Sequence, residues 1–85
     1  MKELNLKLKK KHIITYELKK LEPSKRVLFV YLLKGRNSKG IIKELKGEFL
    51  APGCFIVPDE NLKEIKEILN KWNVKYHEKE VYLID

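Results

Sequence analysis

Residues 27–33 read VLFVYLL, an unbroken run of seven apolar side chains. An extended run of this kind is apolar on both faces, which is typical of a strand at the centre of a sheet. It is also far shorter than the roughly 20 residues that a membrane-spanning helix needs. We therefore expect a central strand here and no membrane span.

Two stretches of alternating apolar and polar residues precede this run, and alternation is the pattern of a half-buried strand. Leu4, Leu6 and Leu8 belong to the first stretch, and residues 13–18 form the second. They predict either a hairpin or one long bent strand, and the sequence leaves both open. Pro23 lies in the connector that follows, since proline cannot donate to a strand ladder.

A short helix and a short strand are expected after the central run. Ile41, Ile42 and Leu45 would face inward on the helix, and Gly47 would close it at the C-terminal end. Residues 54–57 are apolar and lie between two prolines. They predict a brief buried strand.

The C-terminal third of the chain is expected to hold a longer helix and a final strand. Asp59 is positioned as the N-cap of a helix through Trp72, whose apolar residues recur at helical spacing. Asn73 can end that helix in a left-handed conformation. Residues 74–84 are extended, with either a bulge or a turn, because their alternation slips.

These elements, in the order β-β-β-α-β-α-β, predict a single basic α+β domain over residues 1–85. The economical arrangement is a small two-layer sandwich, a mixed sheet of about four to five strands with two helices on one face. From Cys54 onward, a strand, a helix and a second strand would form a right-handed β-α-β crossover.

The charge is unevenly distributed along the chain. Nineteen basic and twelve acidic residues give a formal net charge of +7, and the isoelectric point is near 9.5. Residues 1–47 hold fourteen Lys or Arg and four Asp or Glu, whereas residues 48–85 hold five and eight. A basic half indicates contact with a polyanion, and an acidic half fits solvent or a basic partner. The Lys/Glu-rich composition is also thermophile-like, and composition alone can account for part of the excess.

The segment from Lys34 to Gly40 combines two glycines with several cations ahead of an expected helix. It lacks the Lys-Ser/Thr pair that follows the second glycine of a P-loop, so nucleotide hydrolysis is excluded. A backbone phosphate could still bind at the helix mouth. The residues predicted to contact it are Lys34, Arg36, Ser38, Lys39, Gly40 and Lys43. An ordinary solvated turn is the alternative.

The expected N-terminal strand carries a second basic cluster, which continues into the connector and beyond it. Its members are Lys7, Lys9, Lys10, Lys11 and His12, followed by Lys19, Lys20, Lys25 and Arg26. Alternate lysines share one face of a strand, so Lys7, Lys9 and Lys11 predict a stripe that binds phosphate without reading base sequence. The chain has only two arginines, which disfavours base recognition in duplex DNA.

Aromatic and nucleophilic side chains give fewer predictions. Tyr16, Tyr76 or Tyr82 could stack nucleic-acid bases if exposed on a sheet, although packing is the commoner role of such residues. One cysteine and two histidines predict neither a disulfide nor a metal site. No side chain has a catalytic partner at motif spacing, so we expect no catalytic residue, no metal and no cofactor, and we place Cys54 in the core.

Together these observations predict a small basic non-catalytic accessory protein that associates with nucleic acid, RNA before DNA, through its basic N-terminal half. The first hypothesis is a ribosome-associated or other ribonucleoprotein component with protein partners in a larger complex. The second is an accessory subunit of a DNA replication or transcription enzyme, such as a DNA polymerase holoenzyme. A small metal-independent ribonuclease using His12 or His77, and a pure protein-interaction module, are further alternatives. We expect a cytoplasmic location, since no secretory leader is visible, with no membrane and no small-molecule substrate.

Overall fold

The computed structural model describes residues 8–35 and 39–84, which form an antiparallel sheet with helices packed on one face. The elements in chain order are β1 (Leu8–Glu17), α1 (Pro23–Lys34), α2 (Ile41–Glu44), β2 (Glu48–Ala51), β3 (Cys54–Pro58), α3 (Leu62–Lys71) and β4 (Lys75–Ile84). A short 3-10 turn, Asp59–Asn61, leads into α3. The α+β two-layer sandwich expected from the sequence is confirmed.

The described strands are arranged in the order β2-β3-β1-β4, and each neighbouring pair is antiparallel. Strand β1 is therefore hydrogen-bonded on both edges. If α2 is counted with α1, the chain follows the β-α-β-β-α-β order of ferredoxin-like folds. Strands β3 and β4 run in the same direction on either side of β1. The mixed sheet predicted from the sequence is wrong, because β1 lies between β3 and β4 and every neighbouring pair is antiparallel. The expected strand-helix-strand segment from Cys54 onward is present, with β1 lying between its two strands.

The ladder between β1 and β4 settles two questions that the sequence left open. Residues 8–17 are one strand rather than a hairpin, and they pair with β4 along their whole length. The register runs from the pair Leu8–Ile84 to the pair Glu17–Lys75 without a shift. Neither the bulge nor the turn expected in the last strand is present there. The alternation at Leu4 and Leu6 lies outside the described residues.

Helix α1 contains the run VLFVYLL, so the prediction of a central strand at residues 27–33 is wrong. Pro23 lies in the first turn of the helix, where its missing N–H costs nothing and its fixed φ suits the helix. The Arg26 N–H donates to the Glu22 carbonyl at 2.9 Å as the helix begins. The described order is thus β-α-α-β-β-α-β. No helix in the described part of the chain is long and apolar enough to cross a membrane.

The core lies between the helices and one face of the sheet. Its buried residues are Ile14, Phe29, Leu33, Ile42, Phe55, Val57, Ile65, Leu69 and Val74. Tyr16 packs edge-on against Phe29, with ring centroids 5.8 Å apart. Full burial of an aliphatic or aromatic side chain contributes about 1.5–3 kcal/mol each, so this single layer of contacts holds the two layers together.

Helix α3 begins later than the sequence predicted. It starts at Leu62, and no side chain caps it, so the prediction of Asp59 as N-cap is wrong. The Asp59 carboxylate instead lies 2.7 Å from Nε2 of His12. The predicted end of the helix is confirmed, since Asn73 has a left-handed φ of 56°.

Gly40 lies where the chain passes the end of α1, and no larger residue fits there. Its φ of 82° and ψ of 154° belong to a region that is essentially restricted to glycine. A Cβ atom would approach backbone atoms of Lys34, Gly35 and Leu33 to 2.5–2.6 Å. We expect Gly40→Ala to lower the free energy of unfolding by about 2–4 kcal/mol, measured by urea denaturation followed by circular dichroism.

Gly53→Ala is the matched control. Gly53 also has a positive φ, 76°, but a Cβ there would meet only the Tyr16 carbonyl oxygen at 3.3 Å. This variant should lose about 1 kcal/mol, the cost of the backbone conformation alone. Equal losses in the two variants would contradict the steric argument for Gly40.

Candidate nucleic-acid interface

The pleat of β1 sends neighbouring lysines to opposite faces of the sheet. His12 is buried against the helices, so Lys10, two residues earlier, lies on the same helix-covered face. Lys9 and Lys11 lie on the other face. The structure therefore places Lys9 and Lys11 together, as the sequence predicted, and places Lys10, which belonged to the predicted cluster but not to the stripe, on the helix-covered face. Lys7 lies outside the described residues.

The face of the sheet that no described helix covers, here called the open face, collects cations from β1 and β4. Its positions in these two strands are Lys9, Lys11, Ile13, Thr15, Glu17, Lys75, His77, Lys79, Val81 and Leu83. In the strand register, Lys79 lies opposite Ile13, and Lys75 lies opposite Glu17. Lys11, Lys75 and Lys79 form no ion pair with any carboxylate of the described residues. The part of the open face formed by β1 and β4 therefore carries a net positive charge, with four lysines against the Glu17 carboxylate among its described positions.

A groove of about 500 Å³ adjoins the basic end of β1. The residues lining it are Lys9, Lys10, Lys11, Lys46, Pro58, Asp59 and Glu60. The sequence gave no reason to select Lys46, because Gly47 was the expected helix end. Lys46 itself adopts the left-handed conformation, with φ of 61°, and the Asn61 side-chain amide donates to the Leu45 carbonyl at 2.7 Å beside it. This turn brings Lys46 to the groove.

On the helix-covered face, His12 lies between two carboxylates from different elements. Its Nε2 is 2.7 Å from Asp59 Oδ1, and its Nδ1 is 2.6 Å from Glu78 Oε2. The second contact is short but is not aligned as a hydrogen bond. A neutral imidazole carries one N–H, so only the doubly protonated ring has a proton for each carboxylate. The His12 side chain is 3% exposed. Its Nε2 is hydrogen-bonded to Asp59, whereas its buried Nδ1 lies against the Glu78 carboxylate without an aligned hydrogen bond.

Two lysines extend this ion-pair network. Lys10 Nζ lies 3.2 Å from Glu80 Oε1, and Lys66 Nζ lies 2.7 Å from Glu78 Oε1. The hydrogen bond with Glu80 raises the pKa of the Lys10 ammonium. Lys10 is thus paired with carboxylates of its own chain, unlike Lys11 beside it, and it is a poor candidate for phosphate contact.

Three cations of the predicted loop cluster lie within the described residues. Lys34 Nζ is 5.4 Å from the centre of the Phe49 ring, a cation–π contact. Lys39 and Lys43 are exposed, and neither forms an ion pair in the described part of the chain. All three stay candidates for phosphate contact.

The glycine-containing turn itself has a structural explanation. Gly40 is buried and is required by the backbone geometry described above. Helix α2, which follows it, has only four residues and cannot supply the dipole on which the predicted anion site depended. Arg36 and Ser38 lie outside the described residues, so phosphate binding by this loop stays a prediction.

The described open-face positions of β1 and β4 include no Phe, Tyr or Trp on which a base could stack. Tyr16 packs against Phe55, and Tyr76 packs against the core cluster. Tyr82 is 57% exposed, but it lies on the same side of the sheet as Tyr16 and Tyr76. The proposed stacking role therefore lacks a platform on the open face.

The two histidines lie on opposite faces of the sheet and form no catalytic pair. His12 is buried in ion pairs, whereas His77 lies on the open face opposite Thr15. Cys54, expected in the core, is a half-buried free thiol at the start of β3. Within residues 8–35 and 39–84, no group of three or more His, Cys, Asp or Glu is placed to hold a metal ion.

The carboxylates that contact His12 make the free energy of unfolding depend on pH. The hydrogen bond from His12 lowers the pKa of Asp59, and the hydrogen bond from Lys66 lowers that of Glu78. Carboxyls with a lower pKa in the folded state stabilise it above their unfolded pKa and lose that effect as pH falls through the folded value. We expect the free energy of unfolding, measured in urea, to fall as pH drops below about 4.

Glu78→Gln should lower the free energy of unfolding at neutral pH and flatten its decline below about pH 4, because one titrating carboxyl is gone. Glu67→Gln is the control, since Glu67 is exposed on α3 and has no ion pair among the described residues. An acid profile that Glu78→Gln leaves unchanged would show that this carboxylate does not contribute.

Comparisons of the chain with family models, with curated proteins and with solved structures found no match in any of the three. The topology does not identify a function either, because one fold hosts many unrelated functions. The function must therefore be argued from the charges and contacts of the two sheet faces.

Proposed function

We propose that this chain is a small non-catalytic accessory protein of the cytoplasm that binds a nucleic-acid backbone, RNA before DNA, on its open face. One observation carries the proposal. Lys11, Lys75 and Lys79 share a helix-free sheet surface and have no carboxylate partner among the described residues. Lys9 on the same face and Lys46 in the adjoining groove extend this surface.

The spacing of these cations suits a phosphate backbone. Alternate residues of a strand are about 6.8 Å apart, and neighbouring strands are about 4.8 Å apart. Each nucleotide of a nucleic-acid strand carries one negative phosphate charge. Lysines spread over β1 and β4 can therefore contact several phosphates of one strand, release condensed counterions and bind without reading bases.

Single-stranded or irregular RNA fits this surface better than duplex DNA. Reading of a duplex commonly places a polar helix face in the major groove. The surface of α3 mixes Lys63 with Glu64 and Glu67, and α1 exposes apolar side chains such as Leu28. Open sheets, by contrast, are the surfaces on which several RNA-binding modules hold single strands.

A ribosome-associated or other ribonucleoprotein setting is the form of the proposal that we favour. Such particles use small basic domains for backbone contact, and the separation of His12 from His77 gives a catalytic role no support. An accessory subunit of a DNA replication or transcription enzyme is the alternative. It would use the same open face, so a preference for single-stranded DNA over RNA would favour it.

The double variant Lys11→Glu/Lys79→Glu should bind single-stranded RNA at least about tenfold more weakly at roughly 50 mM salt, since two phosphate contacts become repulsive. The slope of log K against log salt should fall by about two, one for each lost contact. Fluorescence anisotropy with labelled RNAs of different sequence measures both quantities. The loss should be similar for every sequence.

Lys20→Glu/Lys25→Glu is the matched control, because it changes the net charge equally on exposed lysines away from the open face. It should retain most of the RNA affinity. Equal losses in the two variants would mean that net charge, rather than the open face, determines binding. Unchanged RNA binding by Lys11→Glu/Lys79→Glu would overturn the proposal.

A further inference from the structure

Helix α1 exposes apolar side chains that the core does not use. Phe29 and Leu33 face the sheet and are buried, whereas Leu28 is 57% and Val27 is 50% exposed. Tyr31, one turn further along, is 40% exposed. Helices that pack on one side normally present polar residues on the other, so this face is unusual for a solvated surface.

An open groove of about 770 Å³ runs beside this face. It is formed where α1 and the segment before it meet the end of α3. Its apolar lining consists of Leu21, Leu28 and Trp72. Its charged lining consists of Lys20, Lys25, Lys71 and Glu22. Three cations and one carboxylate thus surround an apolar floor.

We propose that this groove, with the adjacent exposed face of α1, docks an acidic amphipathic helix of a partner protein. Leucine-type side chains of that helix would bury Leu28 and Trp72, and its carboxylates would meet Lys20, Lys25 and Lys71. This is the helix-in-groove mode of recognition, with complementary charge at the rim. The surface is concave, which suits a helix better than a flat membrane. A nucleic acid held by the lysines at the rim would leave the apolar floor of Leu21, Leu28 and Trp72 unburied.

The docking surface and the open face can be occupied together. Helix α1 covers one face of the sheet, and the open face lies on the other. A partner held on α1 would therefore leave Lys11 and Lys79 accessible to a nucleic acid. The inference is independent of nucleic-acid binding, although it fits an accessory protein that joins a larger complex.

Trp72 gives a direct test, because it is the only tryptophan in the chain and it lines the groove. The probe is a synthetic peptide of about 18 residues, five helical turns, with Leu on one face and Glu on its flanks. Titration into the full chain should give a saturable blue shift of Trp72 emission as water leaves the groove. A peptide of the same composition in scrambled order should bind at least about tenfold more weakly, since it cannot form an apolar face.

Leu28→Glu places a carboxylate on the apolar surface and should weaken peptide binding at least about tenfold, as for a central interface residue. Leu50→Glu is the matched control, since Leu50 is 51% exposed on β2 away from the groove. Thermal melts should show both variants folded, because both side chains are largely exposed. Lys20→Glu/Lys25→Glu should weaken peptide binding, while Lys11→Glu/Lys79→Glu should not.

Several outcomes would overturn the inference. Equal binding of the scrambled peptide would show that the peptide binds only by unspecific charge attraction. Equal loss of peptide affinity in Leu28→Glu and Leu50→Glu would show that the groove is not the binding site. A blue shift with phosphatidylglycerol vesicles but not with the peptide would assign the face to a membrane surface instead. Peptide binding by a protein that does not bind RNA would support this inference while the proposed function failed.

Discussion

The alternation of β1 within a sheet that is covered on one side determines most of this structure. Because β1 pairs with β3 and β4 on its two edges, its residues cannot shift in register without breaking both ladders. Even-numbered side chains therefore point to the helices, and odd-numbered ones point to the open face. Three consecutive lysines meet different environments for this reason. Lys10 joins an ion-pair network, while Lys9 and Lys11 remain on the surface without helices.

The buried imidazole of His12 accounts for the position of two acidic residues in the second half of the chain. Its ring nitrogens lie beside the carboxylates of Asp59 and Glu78, which come from two separate elements. Lys10 and Lys66 pair with carboxylates of the same region. Three of the eight acidic residues in the second half of the chain, Asp59, Glu78 and Glu80, thus contact cations on the helix-covered side, whereas Glu64 and Glu67 are exposed to solvent. Lysines without an ion pair among the described residues, such as Lys11, Lys75 and Lys79, lie on the open face.

The sequence identifies those elements in which one face is apolar and the other polar. The alternation of β1, the short apolar β3 and the helical spacing before Asn73 all predicted elements that the structure contains. The run at residues 27–33 failed because it is apolar all round, so periodicity could not separate strand from helix. Pro23 was the available signal, since proline in a first turn begins a helix of twelve residues. The lysine cluster around Lys46 could not be predicted, because it depends on a turn brought to β1 by the fold.

The ambiguity of that run and the docking surface on α1 have the same physical origin. A helix in a two-layer sandwich needs apolar residues on the side that meets the sheet, and Phe29 and Leu33 satisfy that need. Nothing in the packing requires Val27 or Leu28, and polar residues such as Lys or Glu have a helix propensity at least equal to that of Val. Their exposed apolar area therefore has no explanation in the packing of residues 8–35 and 39–84. A second protein that buries it would give α1 an apolar environment on both sides, which is the environment that its sequence suggests.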